Sequence, residues 1–366
     1  MSDWFEKAKQ LRAQGLTYKQ IGELLGKSEG WVRTKFYEER KKHSSGAKRQ
    51  TASDKPLVEQ LLEVLEKKHG QELTIGDVAR RLEVSPRVLM AAAQDLIDDG
   101  YIIDVTDEYI KLAKVAPDEE STHELDWQGN QVIRFGVVSD THLGSKWQQL
   151  GHLNTLYDIY EREGIVLVFH AGDLVEGVNM RRGHEYEVFA HGADEQVDYT
   201  VENYPKRDGI ITQFITGNHD HSIIKHSGHD IGRAIAKRRP DMVYLGRANA
   251  KVNLTPNCVL EINHPLDGSA YALSYGLQKM IDAMSEGEKP NIYLGGHHHK
   301  AMYLFYRNIH AFECGTTQAQ TPWMRGKRIP AHMGGWIIEV HVDEEGAVTR
   351  CKGEFVPFYV ALENDY

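Results

Sequence analysis

At 366 residues, with 41% hydrophobic and 26% charged residues and a formal net charge of −10, the chain is long enough for two or three separately cored domains of ordinary soluble composition. No apolar run approaches the roughly 18 residues of a membrane span, and the opening MSDWFEKAKQ lacks the apolar stretch of a secretory signal, so no membrane contact and a cytoplasmic location are expected. Cys258, Cys314 and Cys351 stand far apart and in no CxxC pair, which supports neither a disulfide framework nor a zinc knuckle.

The charge is unevenly spread. Residues 1–54 carry 12 Lys+Arg against 7 Asp+Glu, residues 55–130 carry 8 against 17, and the rest carry 23 against 29. Basic charge gathered in one small module points to a polyanion, while the acidic remainder opposes general adhesion to nucleic acid.

In chain order, Trp4, Phe5, Ala8 and Leu11 fall at helical spacing and Gly15 ends that run. Thr17 is placed to cap a second helix carrying Ile21, Leu24 and Leu25, and Ser28 a third carrying Trp31, Val32 and Phe36. The third also bears Arg33, Lys35, Arg40, Lys41 and Lys42, the composition of a helix that enters a major groove or lies along phosphates. LTYKQIGELLGKSEGWVRTKF resembles the helix-turn-helix of homeodomain-like DNA-binding proteins. That resemblance implies DNA as a partner of residues 1–43, with Arg33, Lys35, Arg40 and Lys41 as contacts; a basic helical hairpin used for protein contacts is the alternative.

Residues 44–54, SSGAKRQTASD, are small, polar and aperiodic, as a linker is. Over 55–114, Leu57, Leu61, Leu62 and Leu65 predict an amphipathic helix, Thr74 caps a second, and Ser85 with Pro86 opens a third that stops at Gly100. YIIDVT and YIKLAK then read as short strands, and the unit resembles a winged-helix domain. Its acidity speaks against strong phosphate contact, so a spacer or a module that binds a protein partner is at least as well supported as a DNA-binding one. Residues 115–130 are acidic and aperiodic and are expected to be a second linker.

From residue 131 to the C-terminus, apolar runs alternate with helical segments: VIRFGVVSD, IVLVFHAGD, IITQFITGN, MVYLG, CVLEINH and NIYLGGHHH. Near-continuous apolarity marks strands buried on both faces, hence an α/β sheet core. Five of the runs end in polar, metal-competent residues: Asp140-Thr141-His142, Gly172-Asp173, Gly217-Asn218-His219-Asp220, Asn263-His264 and Gly296-His297-His298-His299. Ligands bind outside the carboxyl ends of such strands, so these residues are expected to converge on one site. Carboxylate, imidazole and carboxamide together suit Mn2+, Fe2+ or Zn2+ better than calcium.

DTH at 140–142, GDLVEG at 172–177, GNHD at 217–220, the lone His264 and GHHH at 296–299 resemble, in order and strand-end context, the five motifs of calcineurin-like metallophosphoesterases. The resemblance implies a four-layer αββα sandwich that holds two divalent ions, Mn2+ being the expected metal. It implies Asp140, His142 and His299 as ligands of one ion, Asn218, His264 and His297 as ligands of the other, and Asp173 as the bridge. It also implies His219 as the catalytic histidine, with Asp220 beside it. Two such ions could bind a phosphate ester and hold a hydroxide for in-line attack. His298 is expected outside the ligand set, and His170, His184, His191, His221, His226 and His229 as ordinary second-sphere or surface histidines. Arg181, Arg182, Arg325 and Arg328 are candidates for holding substrate phosphates.

Three functions remain open on sequence. The catalytic region resembles DNA repair exonuclease-type phosphoesterases and their phage-encoded relatives, among which homodimers occur; with the basic first module this favours a DNA nuclease. The same motifs serve phosphatases and phosphodiesterases of small nucleotides or proteins. A DNA-binding regulator with an inactive phosphoesterase domain is the third reading, disfavoured by seven intact ligand positions.

Overall fold

The computed structural model of the chain describes residues 3–13, 18–28, 35, 55–68, 70–98, 101–106, 108–112, 121–266, 268 and 272–366. It divides into two units, Met1–Lys55 and Pro56–Tyr366.

In the first unit, helices α1 (Asp3–Ala13) and α2 (Tyr18–Leu25) pack through Phe5, Ala8 and Ile21. The expected third helix, with Arg33, Arg40 and Lys41, lies outside the described residues, as does most of the 44–54 linker; of the proposed DNA contacts, Lys35 alone is described.

The second unit opens with α3 (Leu57–Glu66), α4 (Ile75–Arg81) and α5 (Pro86–Asp98), and a small antiparallel sheet of β1 (Leu73–Thr74), β2 (Ile103–Val105) and β3 (Tyr109–Leu112) in the order β1-β3-β2. Leu61, Leu65, Val78, Leu89, Leu96 and Ile110 form its core. Thr74 caps α4 by accepting the Asp77 N–H at 3.2 Å, satisfying a donor the first helical turn leaves free. This segment rests on the part of the same unit that follows it. Tyr101 forms a β-bridge to His229 and stacks on its ring at 4.7 Å, and the Ile102 N–H donates to the Gly228 carbonyl at 2.9 Å.

The apolar runs become strands of two six-stranded sheets, all of them inner strands except MVYLG, which forms an edge strand. One has the order β15-β14-β5-β6-β7-β8, with β5 (Val132–Val138), β6 (Leu167–Ala171), β7 (Ile211–Thr216) and β8 (Met242–Arg247) parallel, and β14 (Gly334–Val342) and β15 (Val348–Pro357) added antiparallel. The other has the order β12-β13-β11-β10-β9-β4, built from β4 (Thr122–Glu124), β9 (Asn249–Thr255), β10 (Cys258–Asn263), β11 (Ile292–Gly295), β12 (Ala301–Tyr306) and β13 (Ile309–Cys314). β10, β11 and β13 run parallel.

Alternation along each strand sets the layers. Val137, Phe169, Ile215 and Ile338 face Val252, Leu260, Leu294 and Phe312 in a core between the sheets. Val138, Val168, Phe214 and Ile337 point the other way, against Leu153, Leu156, Tyr157 and Tyr160 of α6 (Leu150–Arg162), Val197 of α7 (Gly192–Asn203) and Ile235 of α9 (Ile231–Arg238), with α8 (Asn218–Ser227) between α7 and α9 in the chain. On the far side of the second sheet, Tyr293, Ile309 and Ala311 take Leu277 and Ile281 of α10 (Tyr275–Ala283). The result is the helix, sheet, sheet, helix stack that the motif resemblance implies. A last helix, α11 (Pro322–Lys327), lies between β13 and β14 in the chain.

One expectation is corrected. Residues 121–130 are not linker: β4 pairs in parallel with β9 through Thr122, His123 and Glu124, and polar three-residue edge strands carry no apolar run to announce them. The GNHD segment opens α8, and the Asp220 carboxylate in its first turn accepts the Gly217 N–H at 2.7 Å.

Phe312 is fully buried between the sheets, edge-on to Trp336 at 5.2 Å. Phe312→Ala should therefore cost about 3–5 kcal/mol, seen as a lower urea midpoint at unchanged slope.

Candidate metal centre

Strands β5, β6 and β7 of one sheet and β10 and β11 of the other stop at the same edge of the sandwich, and the five expected motifs are the residues that follow them. Backbone bonds lace the turns together. The Asp140 N–H donates to Gly172 O at 3.0 Å, the His142 N–H to Asp173 O at 3.1 Å and the Gly296 N–H to Asn263 O at 3.0 Å. Asp140, His142, Asp173, His297 and His299 all take left-handed backbone, with φ of 52°, 47°, 52°, 74° and 54°. Such conformations cost of order 1–3 kcal/mol each outside glycine and persist where surrounding structure over-determines them, typically at functional sites.

The side chains meet in two overlapping groups. Asp140, His142 and His299 offer donor atoms within 4.8 Å of one another, as do Asp173, His264 and His297. The Asp140 Oδ1 lies 3.3 Å from His299 Nε2, and His142 Nε2 lies 3.1 Å from His299 Nε2. The Asp173 Oδ2 lies 3.2 Å from His264 Nε2 and 3.9 Å from His142 Nε2, so it touches both groups. Asn218 Oδ1 joins the second group at 3.1 Å from His264 Nε2. All seven side chains named from the motifs are thus brought to one place.

Whether the cluster fits cations is decided by its outer bonds. His264 donates Nδ1–H to the Ala171 carbonyl at 2.8 Å, and His142 Nδ1 lies 3.0 Å from Glu176 Oε2. The Ala171 carbonyl only accepts, so His264 carries a proton on Nδ1 and turns Nε2 toward the cluster, while His142 Nδ1 faces the Glu176 carboxylate as an ion-pair contact. There His264 Nε2 faces Asn218 Oδ1 and Asp173 Oδ2, acceptor against acceptor, which only a positive charge reconciles. Burial alone would lower His264, but the Asp173 and Asp140 carboxylates raise it to about 10; a proton there answers the demand a cation would. Borderline nitrogen and oxygen donors without sulfur fit divalent ions of the manganese, iron or zinc kind.

Glu176 escaped the sequence reading, although it stands inside GDLVEG. It is 1% exposed and is held by His184 Nε2 at 2.8 Å and Gln318 Nε2 at 2.8 Å besides His142. Burial opposes its ionisation, yet bonding to His142 holds it well below the usual carboxylate range. Its carbonyl accepts Nδ1–H of His219 at 2.7 Å, and the His219 N–H donates to Asp173 Oδ1 at 2.8 Å. His184 is accordingly a fully buried partner of Glu176, within metal-ligand range of it and His219. A carboxylate three residues after the motif aspartate was the available signal.

Other expected residues land elsewhere. Asp220 accepts the N–H groups of Gly217, Leu174 and Val175 beneath the cluster at 2.7, 3.1 and 2.9 Å, and it does not line the cavity. It therefore positions the loops. Burial, then Asp173, pushes it up to about 7 while those donors pull it down. His298 is buried against Glu313 at 3.1 Å. His170 is buried on Thr141 at 3.1 Å, and His221 contacts Arg247 at 3.0 Å. A cavity of about 290 Å³ opens over the cluster, and of the four arginines proposed for phosphate binding only Arg181 lines it. Its guanidinium pairs with Glu187 and lies 4.5 Å over the Trp323 ring. Arg182, Arg325 and Arg328 are exposed away from it, since α11 buries Met324 and turns its basic residues outward.

Residues 133–267 match the model of the calcineurin-like phosphoesterase family. This region is similar to the calcineurin-like phosphoesterase domain. The match supports a metal-dependent hydrolase, and the cluster above gives it a candidate metal site. No curated protein matches the sequence. Among solved structures, the domain is similar to an archaeal phosphodiesterase at 13% identity, covering 61% of this chain and 100% of the other, with a TM-score of 0.35. A predicted phosphoesterase of Streptococcus pneumoniae is 15% identical, covering 62% and 98%, with a TM-score of 0.31. Zinc-bound Vps29 of Entamoeba histolytica is 13% identical, covering 62% and 99%, with a TM-score of 0.33. Among the described residues no helix is long and apolar enough to cross a membrane.

A Cβ on Gly172, at φ 92°, would stand 2.4 Å from His264 Nδ1. Gly172→Ala should expel that imidazole, so Mn2+ titration by calorimetry should show one strong site lost while the far-ultraviolet circular dichroism is retained.

Proposed function

We propose that this chain is a two-metal phosphodiesterase that hydrolyses DNA, with residues 1–43 as its DNA-binding module and 55–114 as a winged-helix-like unit that spaces or recruits. The observation that carries the catalytic half is the shared carboxylate: Asp173 reaches histidines of both groups, at 3.2 and 3.9 Å. In this reading Asp140, His142 and His299 would hold one ion, Asn218, His264 and His297 would hold the other, and Asp173 would be shared between them. Bound divalent ions supply Lewis-acid polarisation of the phosphoryl oxygens and a water of lowered pKa.

The protein's own groups do the rest. His219 keeps Nδ1–H on the Glu176 carbonyl, which leaves Nε2 as a proton acceptor on the cavity side; burial, only partly offset by Asp173, holds the ring at about 4 and therefore neutral. In this reading it stabilises the transition state or, once it has taken a proton from solvent on Nε2, gives that proton to the leaving alkoxide, on the side of phosphorus opposite the attacking hydroxide. Glu176 fixes the ring of His142, and Asp220 fixes the turns that carry Asp173 and Asn218. DNA as substrate is supported by the excess of basic residues over 1–54 and by the helix-turn-helix pattern. A homodimer belongs to the same reading, by likeness to DNA repair relatives.

The deciding experiment sets the full chain and a truncation before Lys55 against bis-aryl phosphate, mono-aryl phosphate, and single- and double-stranded DNA, each with Mn2+, Mg2+ or Zn2+. The full chain should cut DNA and the truncation should do so with a higher KM that depends less on salt; intact DNA under every metal, with small esters turned over, would instead make the chain a small-molecule phosphodiesterase. Asn218→Ala and His264→Ala should each abolish turnover with loss of bound metal. His219→Ala should keep its metal while kcat falls by roughly 10²–10⁴-fold. Glu176→Gln should weaken metal binding by roughly 10–100-fold, read by competition with a chelator.

A further inference from the structure

We infer that the wall of the cavity facing the metal cluster is a platform for one unstacked nucleobase, so that the phosphodiester drawn to the cluster is one beside a base out of its stack, in a single strand or at a frayed end. This deepens the phosphodiesterase reading and rests on it.

The wall consists of Met180, Arg181, Trp323, Met324 and Ile329. Trp323 is 41% exposed although Met324, its neighbour on α11, is buried. At the lip of the cavity Trp323 thus offers a partly exposed aromatic surface of the kind on which a base can stack. The Arg181 guanidinium lies over the Trp323 ring and is also paired with Glu187. Its charge thus has a partner, and the arginine adds a second flat surface instead of a free phosphate clamp.

The platform is fixed before any ligand arrives. Thr321 caps α11 by accepting the Met324 N–H at 3.2 Å, Pro322 opens the helix, and Gln320 Nε2 donates to the Ile329 carbonyl at 2.8 Å. Gln318, just before this segment, donates to Glu176 at 2.8 Å, and Glu176 in turn holds His142. The flat wall and the metal cluster are therefore set at a constant separation by one chain of bonds.

Size selects among aromatic ligands. At about 290 Å³ the cavity sits at the small end of ligand sites, which run from roughly 300 to 1,000 Å³. It has room for one nucleotide. Inside a duplex the faces of a base are covered by its neighbours, so a base can lie on this wall only after leaving the stack.

The test uses the full chain with Mn2+ and two substrates: a thymidine dinucleotide, and the same phosphodiester between two abasic sugars. Stacking of a base on an aromatic ring is worth about 1–3 kcal/mol, so kcat/KM should fall roughly 5–150-fold when the bases are removed. Trp323→Ala should lower the thymidine dimer by the same factor, and the two losses should not add when both changes are made. Trp323→Phe should recover most of the rate, and an unchanged melting temperature of the alanine variant separates the effect from misfolding. Equal rates for the two dimers in the unaltered protein, or losses that multiply, would overturn the platform. Hydrolysis of bis-aryl phosphate with neither dimer cut overturns it too, leaving the phosphoesterase reading intact; no hydrolysis of any ester removes that reading and the platform together.

Discussion

The room around His264 governs the whole site. Its imidazole lies where three strand-end turns cross, and each turn presents a glycine to it. A Cβ on Gly172 would stand 2.4 Å from the ring, one on Gly217 2.7 Å and one on Gly296 2.8 Å. Because none of the three has a side chain, turns from both sheets approach closely enough for Asp140 and Asp173 to face the same group of histidines. The left-handed backbone at five of the clustered residues is the cost of aiming side chains back across so short a gap, and the hydrogen bonds between turns hold it.

That geometry also sorts the charges. Asp140 and Asp173 are buried, which alone would favour their neutral forms, yet the neighbouring imidazoles hold both well below the usual carboxylate range. Around them lies a ring of groups whose task is to fix orientation: the Ala171 carbonyl under His264, Glu176 beside His142, and the backbone N–H groups that grip Asp220. Few of these touch the cavity. They decide which nitrogen of each ring looks inward, and that decides whether the cluster can accept a cation.

Much of this was legible in the sequence because the apolar runs end where chemistry begins. Asp140, Asp173, Asn218, His264, His297 and His299 could be named from strand-end position and motif spacing. What escaped is whatever depends on contacts far apart in the chain or on strands without an apolar signature. Gln318 reaches Glu176 across 142 residues, and no spacing rule covers such a pair. β4 and β9 are polar and alternating, so they do not stand out beside the buried runs. The basic residues near the cavity were over-read, since a run of arginines says nothing of which way a short helix faces; Met324, the buried one, turned Arg325 and Arg328 outward. The residues of the basic third helix lie outside the described structure, so the link to DNA stands on sequence pattern.

Composition suggests three beads on a string, but the molecule cannot be dissected that way. Leu112, at the end of the small N-terminal sheet, sits so close to Gly228 that a Cβ there would come within 2.6 Å of it. Gly228 closes α8, and α8 opens with Asn218 and His219. A cut before Pro56 removes one unit whole, whereas a cut between residues 113 and 120 strips the cover from the far end of the helix that carries part of the metal cluster. The smallest piece of this protein that keeps α8 properly seated is therefore longer than the phosphoesterase motifs alone would suggest.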